Sequence, residues 1–130
     1  MAYLRPGFLL TRILNPLLIS LHLIPVLTVK GRISGKWIKT PVTPIQYENE
    51  TYLVAPRGET QWVRNLRKNN EGKLTIKGKI RNFQATEVSG ALQKSVVIFY
   101  QHRVTAAKSQ FQSLPDPNDH PVFKLEFSDI

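Results

Sequence analysis

Residues 26–47 read VLTVKGRISGKWIKTPVTPIQY, and this stretch decides the fold. Its first five residues, Val26–Lys30, are apolar and β-branched, which favours a β-strand. The glycines of KGRISGK (30–36) predict a turn, and a long second strand follows over Trp37–Tyr47. That strand contains Pro41 and Pro44. Because proline has no N–H to donate to a sheet, these two residues indicate an edge, a bulge or a bend.

The rest of the chain continues this pattern of short strands, with two helical segments. Turns at Glu48-Asn49-Glu50 and Gly78-Lys79 predict two hairpins, and Thr60 and Ser89 are suited to cap the two helices. His120 reads as a turn residue. The predicted elements are strands at Thr51–Ala55, Lys73–Lys77, Ile80–Val88 and Pro121–Phe127, helices at Gln61–Asn69 and Ala91–Val104, and a polar loop over residues 105–119.

These elements predict a mainly β fold with α-helices: an antiparallel sheet or barrel with helices at its ends. A length of 130 residues suits one domain over residues 1–130. Residues 1–25 form its helical N-terminal segment, and residues 26–130 form the barrel, with helices at about 60–69 and 90–104.

The N-terminal segment raises the question of a membrane span. Phe8–Val29 is rich in leucine and isoleucine, but polar residues and prolines interrupt it, which argues against a spanning helix. Asn15-Pro16 is better read as the start of a short helix that ends before Pro25. We expect a cytoplasmic protein. Two roles for the apolar segment stay open: covering the core, or peripheral docking on the inner face of a membrane or on a partner.

Composition excludes several classes of chemistry. The chain has no cysteine, which rules out disulfides, zinc ribbons and thiol catalysis, and its three histidines are scattered, so no metal site is predicted. The net charge is +9, and residues 30–81 hold twelve basic and four acidic residues. Such a block favours a polyanionic partner. The alternative is a solvated surface that keeps the protein soluble.

Three pieces of sequence then combine into a candidate binding site: KGRISG (30–35) with Pro41 six residues further on, the strand end APRG (55–58), and the helix TQWVRNL (60–66). Glycines let a backbone approach a ligand closely. Arg57 can grip a phosphate or carboxylate. Trp62 and Asn65 are three residues apart and share one helical face, where a flat ligand could stack and be fixed by hydrogen bonds.

In this order and spacing the pieces resemble the deazaflavin-dependent nitroreductase and quinone reductase family of the split β-barrel superfamily, which includes FMN-binding barrels. The resemblance covers about residues 27–88, and the tail DHPVF (119–123) also looks like the family. It implies a small split barrel that binds coenzyme F420, a deazaflavin with a phosphate and an acidic tail. The implied activity is an oxidoreductase that passes hydride from reduced F420 to a quinone, nitro compound or similar conjugated acceptor.

The resemblance also implies the site residues. No side chain is assigned as catalytic, because the cofactor carries the hydride chemistry. The cofactor-binding residues that it implies are Arg32, Ser34, Gly35, Lys36, Lys39, Pro41, Thr43, Arg57, Gly58, Trp62 and Asn65. Ile33 and Ile38 occupy positions that are basic in the family, and Lys36 and Lys39 are the candidates to take the place of those cations.

Two other functions remain open at this level. One is a non-catalytic carrier of the same fold that holds FMN or another flavin, a tetrapyrrole or a fatty acid. The other is a small basic β-barrel that binds nucleic acid, which is disfavoured because the basic strands lack a ladder of aromatic residues for stacking on bases. A small-molecule acceptor and a homodimer are the expected partners.

Overall fold

The computed structural model describes residues 24–128. Within that range the chain forms seven β-strands and three α-helices. The strands are β1 (Val26–Lys30), β2 (Trp37–Pro41), β3 (Ile45–Tyr47), β4 (Glu50–Val54), β5 (Glu71–Ile76), β6 (Lys79–Val88) and β7 (Val122–Phe127). The helices are α1 (Gln61–Asn69), α2 (Gly90–Arg103) and α3 (Lys108–Ser113), and 3-10 turns lie at Thr105–Ala107 and Pro117–Asp119.

All seven strands belong to one antiparallel sheet with the order β2-β1-β5-β6-β7-β4-β3. Its two edges are β2 and β3, which are separated in the chain only by residues 42–44. In a flat sheet these edges would lie ~29 Å apart, at ~4.8 Å per strand, yet the chain from Pro41 to Ile45 reaches ~14 Å at most. The sheet must therefore curl until its edges approach, which confirms the predicted antiparallel split barrel.

Two hydrophobic clusters hold the fold together, one on each face of the sheet. The inner cluster joins β1, β4, β5, β6 and β7 to α1, with Leu27, Phe83 and Phe123 almost fully buried. The outer cluster packs α2 and α3 against β3, β4 and β7. Because successive side chains of a strand point to opposite faces, β4 and β7 contribute to both clusters.

The prediction of one continuous strand over Trp37–Tyr47 is wrong. The stretch forms two strands, β2 and β3, on opposite edges of the sheet. Pro41 ends β2 and Pro44 precedes β3, so the missing N–H groups fall where the chain leaves one edge and crosses to the other. The two hairpins are confirmed, with positive φ at Glu48 and Asn49 in one turn and at Lys77 and Gly78 in the other.

Several local predictions need correction. Thr60 and Ser89 precede α1 and α2 as expected, but neither side chain makes a capping hydrogen bond. The polar loop predicted over residues 105–119 contains α3 and two 3-10 turns, because Ala107 and Phe111 bury their side chains against the outer cluster. His120 lies in a turn as expected, with its N–H bonded to the Pro117 carbonyl, but its side chain is fully buried. The helical prediction for residues 1–23 lies outside the described residues.

Candidate functional site

The candidate site is a pocket at the split of the barrel. It has a volume of about 370 Å³, which is within the usual range for small-molecule sites. Residues 41–43, which cross between the two edges, form one wall, and the strand end from Val54 to Arg57 forms another. The pocket is closed by α1, α2 and the 3-10 turn after α2, which contribute Trp62, Tyr100, Val104, Ala106 and Ala107.

The walls of this pocket are mainly apolar, but two buried polar atoms of its lining residues have no hydrogen-bond partner in the described part of the chain. Arg57 Nε and Thr60 Oγ1 make no hydrogen bond within the part of the chain that the structure describes. Both residues line the pocket. Burial lowers the pKa of the Arg57 guanidinium from its usual value. A buried donor without a partner costs free energy, so the Arg57–Thr60 side of the pocket holds hydrogen-bonding capacity that the described residues leave unused.

Tyr100 and Thr43 add a second polar group to the pocket. Their side chains are hydrogen-bonded, and burial raises the pKa of the Tyr100 phenol to about 12, although the nearby Arg57 cation acts in the opposite direction. The phenol is therefore neutral at physiological pH. Tyr100 is 3% exposed and lines the pocket, so it can serve there as a proton-bearing hydroxyl.

Trp62 is shared between the pocket and the core. It is 6% exposed, and its ring centroid lies 6.1 Å from that of Phe123 with the planes inclined by 53°. It also lines the pocket. One side chain therefore supports α1 on the barrel and forms part of the apolar wall of the pocket.

Asn65, predicted to act beside Trp62, engages a different group. Its side-chain oxygen accepts hydrogen bonds from the backbone N–H of Arg32 at 3.0 Å and from Arg32 Nη1 at 2.8 Å. Arg32 Nη1 also donates to Gln61 Oε1 at 2.9 Å. Asn69 Nδ2 donates to the Lys30 carbonyl at 3.0 Å. These bonds fasten the turn 31–36 to α1.

The glycines and the serine of that turn shape its backbone. The Gly31 N–H donates to the Lys36 carbonyl, the Gly35 N–H donates to the Gly31 carbonyl, and Gly35 has a φ of +73°. Ser34 Oγ accepts a bond from the Lys36 N–H at 3.2 Å. A Cβ on Gly31 would lie 2.7 Å from Ser34 Oγ, so a larger residue there would force the Ser34 side chain to move.

The remaining predicted residues lie outside the pocket. Lys36 and Lys39 are exposed on the turn and on β2, and Lys39 shares a strand face with Pro41, about 7 Å away. Gly58 is buried behind Arg57 with a φ of +82°. Of the predicted site residues, the pocket thus brings together Pro41, Thr43, Arg57 and Trp62, while Arg32, Ser34, Gly35, Lys36, Lys39, Gly58 and Asn65 lie around the adjoining turn, strand and helix.

Several pocket residues were not predicted from the sequence. Thr60 was assigned to a cap, and Ala106, Ala107 and Gln110 fell in the supposed loop. A possible signal was the pair of alanines followed by Phe111 at helical spacing from Ala107, which marks a segment that packs against the core.

A curled antiparallel sheet with an apolar pocket at its split defines the class of split β-barrel proteins that bind small organic cofactors. Comparison with known families places the chain within that class. The family model described as F420H(2)-dependent quinone reductase matches residues 18–123. The chain belongs to this family and is therefore an F420-dependent oxidoreductase.

Solved structures agree on the fold. An F420-H2 dependent reductase, FDR-A, is 21% identical with a TM-score of 0.57, over 79% of this chain and 93% of that one. A Listeria innocua protein, provisionally described as a pyridoxamine 5′-phosphate oxidase, is 16% identical with a TM-score of 0.58, over 89% and 94%. A structure described as a domain-swapped dimer is 19% identical with a TM-score of 0.52, over 79% of each chain. No curated protein matches the chain.

Proposed function

We propose that this chain binds reduced F420 with its ring in the pocket at the split of the barrel and reduces a quinone or similarly conjugated acceptor there. The observation that carries the proposal is an apolar pocket in which Arg57 Nε and Thr60 Oγ1 are buried without partners among the described residues. When bound, reduced F420 supplies the hydride. The chain's own residues bind, orient and exclude water.

The residues present fit a flat, oxygen-bearing ring. Pro41, Val42 and Trp62 offer apolar surface, and Arg57 and Thr60 offer donors to ring oxygens. The pocket is also shielded by Val104 and Ala107, which limits the access of water to the reacting atoms. Tyr100 keeps its proton at neutral pH and can donate a hydrogen bond to the acceptor's carbonyl oxygen.

The anionic part of the cofactor would lie along the basic turn and strand beside the pocket. Lys39 on β2 is about 7 Å from Pro41, and Lys36 precedes the strand at its far end. We propose Lys36 and Lys39 as partners of the phosphate and the acidic tail, in place of the basic residues absent at Ile33 and Ile38. Arg32, Ser34, Gly35 and Asn65 hold the turn in shape, and Gly58 gives Arg57 its approach to the pocket.

Partners and location complete the proposal. We propose a cytoplasmic enzyme with a small conjugated acceptor, working as a homodimer or at the inner face of a membrane. The likeness to a domain-swapped dimer supports the homodimer. In residues 24–128 no helix is long and apolar enough to cross a membrane.

A parallel titration tests the proposal. The purified chain is titrated with F420, FMN and haem by fluorescence and absorbance, and its turnover of reduced F420 with a water-soluble quinone is followed by the return of oxidised F420 absorbance. Saturable F420 binding with turnover supports the reductase. Binding of FMN or haem alone, without turnover, would identify a carrier of the same fold and overturn the proposal.

A further inference from the structure

The outward face of β1, β2, β5 and β6 carries an exposed cluster of cations around one tryptophan. The pairing of β1 with β2 and β5 sets Lys30 beside Trp37, and sets Lys39 and Lys73 on either side of Thr28. These side chains alternate with those of the inner cluster and so point away from the core. We call Lys30, Trp37, Lys73 and Ile80 the outer basic face; Lys39, at its β2 edge, stays with the proposed cofactor site.

Trp37 is the central feature of this face. It is 49% exposed, and the ammonium groups of Lys30 and Lys73 lie 5.5 Å and 5.1 Å from its ring centroid. Both distances are within cation–π range. Two elements of the chain thus place cations around a large aromatic ring that nevertheless remains open to solvent.

Exposed isoleucines lie at the margins of the same face. Ile80 on β6 is 63% exposed, and Ile33 at the tip of the turn before β2 is 88% exposed. β2 and β6 are three strand spacings apart, so the face is about 14 Å wide. The acidic residue of this face, Glu71, lies at one corner and accepts a hydrogen bond from Gln84 at 3.3 Å.

We infer that the outer basic face docks on an anionic lipid bilayer. Tryptophan prefers the interface between headgroups and acyl chains, isoleucine can insert just below it, and lysines bind lipid phosphates. Trp37, Ile80 and the lysines of this face thus match, in that order, the headgroup–acyl interface, the layer just below it and the lipid phosphates.

Other occupants suit the face less well. A second copy in a symmetric contact would bring the lysines of this face, Lys30 and Lys73, against the same lysines of the other copy, and like charges repel. Single-stranded nucleic acid would require several exposed rings for stacking, and among the large apolar side chains exposed in the described residues Trp37 is the aromatic one.

Docking in this orientation also sets the side from which an acceptor would enter the pocket. This step rests on the proposed function. Pro41 lines the pocket and shares its face of β2 with Lys39 and Trp37. A bilayer against this face would therefore lie beside the Pro41 side of the pocket. A quinone acceptor, the class that the family's description names, would therefore reach the pocket from the membrane side.

The test uses the full chain and vesicles of phosphatidylcholine with or without phosphatidylglycerol. The variant Lys30→Glu/Lys73→Glu reverses two charges of the face, and Lys94→Glu/Lys108→Glu makes the same charge change at exposed positions on α2 and α3. Each lysine at an anionic surface strengthens binding about fivefold. We expect the first variant to bind phosphatidylglycerol vesicles at least 25-fold more weakly and the second to bind nearly as the wild type does.

Fluorescence gives a readout specific to Trp37. Brominated lipids should quench the wild type and leave Trp37→Phe, which retains only the buried Trp62, almost unquenched. Absence of wild-type binding, equal loss in the Lys94/Lys108 variant, or unquenched wild-type fluorescence would overturn the docking. So would tighter binding of an RNA oligomer than of vesicles at the same salt, or a dimer that only the Lys30/Lys73 variant loses.

Two activity assays separate this inference from the proposed function. With a water-soluble quinone, the Lys30→Glu/Lys73→Glu variant should turn over at the wild-type rate, with unchanged F420 affinity. With a long-chain quinone in vesicles it should be slower in proportion to its lost binding. Loss of F420 affinity in this variant would instead assign the face to the cofactor's acidic tail and overturn the lipid assignment, whereas failure of both substrates with the wild type would overturn the reductase alone.

Discussion

Arg32 donates twice to the side-chain oxygen of Asn65, once from its backbone N–H at 3.0 Å and once from Nη1 at 2.8 Å. The two residues are 33 positions apart, on the turn before β2 and on α1. Asn65 is 3% exposed. This contact fixes the position of the basic turn relative to the helix that carries Trp62, so two parts of the proposed cofactor site move as one unit.

The Arg32–Asn65 contact predicts unequal effects on stability. Asn65→Leu leaves the Arg32 N–H without its acceptor and leaves the guanidinium with Gln61 Oε1 alone of its two acceptors, so it should lower the free energy of unfolding by about 2–3 kcal/mol. Arg32→Ala keeps the backbone bond and should cost about 1–2 kcal/mol. Urea unfolding measures both, with Lys36→Ala as an exposed control. Equal values for Asn65→Leu and Lys36→Ala would show that the contact contributes nothing.

Arg57 should contribute to affinity for the cofactor through charge. Loss of a charge-assisted bond costs about 1.5–3 kcal/mol, so Arg57→Ala should weaken F420 binding roughly ten- to a hundredfold. The difference should shrink as salt rises, because part of it is screened attraction. Fluorescence titration at low and high salt measures it, with Lys94→Ala as control. Unchanged affinity of folded Arg57→Ala at low salt would remove Arg57 from the site.

Trp62 should affect both stability and binding, because it lies in the core and lines the pocket. Trp62→Ala should lower the free energy of unfolding by about 3–5 kcal/mol. Trp62→Phe retains most of the packing, and there we expect weaker F420 binding with little dependence on salt, since apolar contact area is lost. If Trp62→Phe binds F420 as the wild type does, the ring is a core residue alone.

The raised pKa of Tyr100 predicts how the free energy of unfolding changes at alkaline pH. Its pKa is raised to about 12 in the folded protein, whereas the unfolded chain ionises near its ordinary value of about 10. Stability from the neutral phenol is therefore complete below pH ~10 and is lost as pH rises from ~10 to ~12, by up to about 2–3 kcal/mol. Tyr100→Phe should lose less stability over that window. Parallel alkaline unfolding curves for the two proteins would contradict the assignment.

His120 links the end of β4 to the segment after α3. Its Nδ1 lies 2.8 Å from the Ala55 carbonyl and its Nε2 lies 2.6 Å from the Leu114 carbonyl, and the ring packs on Phe111 with centroids 4.3 Å apart. His120→Ala should lower the free energy of unfolding by about 2–4 kcal/mol. Amide hydrogen exchange should rise most in residues 105–119. Uniform exchange across the chain would indicate that His120 does not hold this segment.

The sequence by itself determined the local structure wherever that structure depends on residues close together in the chain. Turn residues at Glu48-Asn49-Glu50 and Gly78-Lys79 sufficed to predict the hairpins, because these depend on neighbouring residues; in the structure the second turn lies one residue earlier, at Lys77-Gly78. The motifs around Gly31, Arg57 and Trp62 resembled a family that the match over residues 18–123 then showed. Fold, cofactor class and reaction class followed from that resemblance.

Only the tertiary structure decided how those motifs are used. Closure of the sheet brings residues 41–43 against Arg57 and Tyr100. Thr60, which the sequence suggested as a helix cap, lines the pocket, and its Oγ1 is buried without a partner among the described residues. Asn65 binds Arg32, although its spacing from Trp62 suggested a shared ligand. Likewise, the pairing of β1 with β2 and β5 gathers Lys30 and Lys73 around Trp37. Contacts such as Arg32–Asn65 and Ala55–His120 join residues 33 and 65 positions apart. The free energy that selects them comes from packing the whole barrel, which local sequence patterns do not encode.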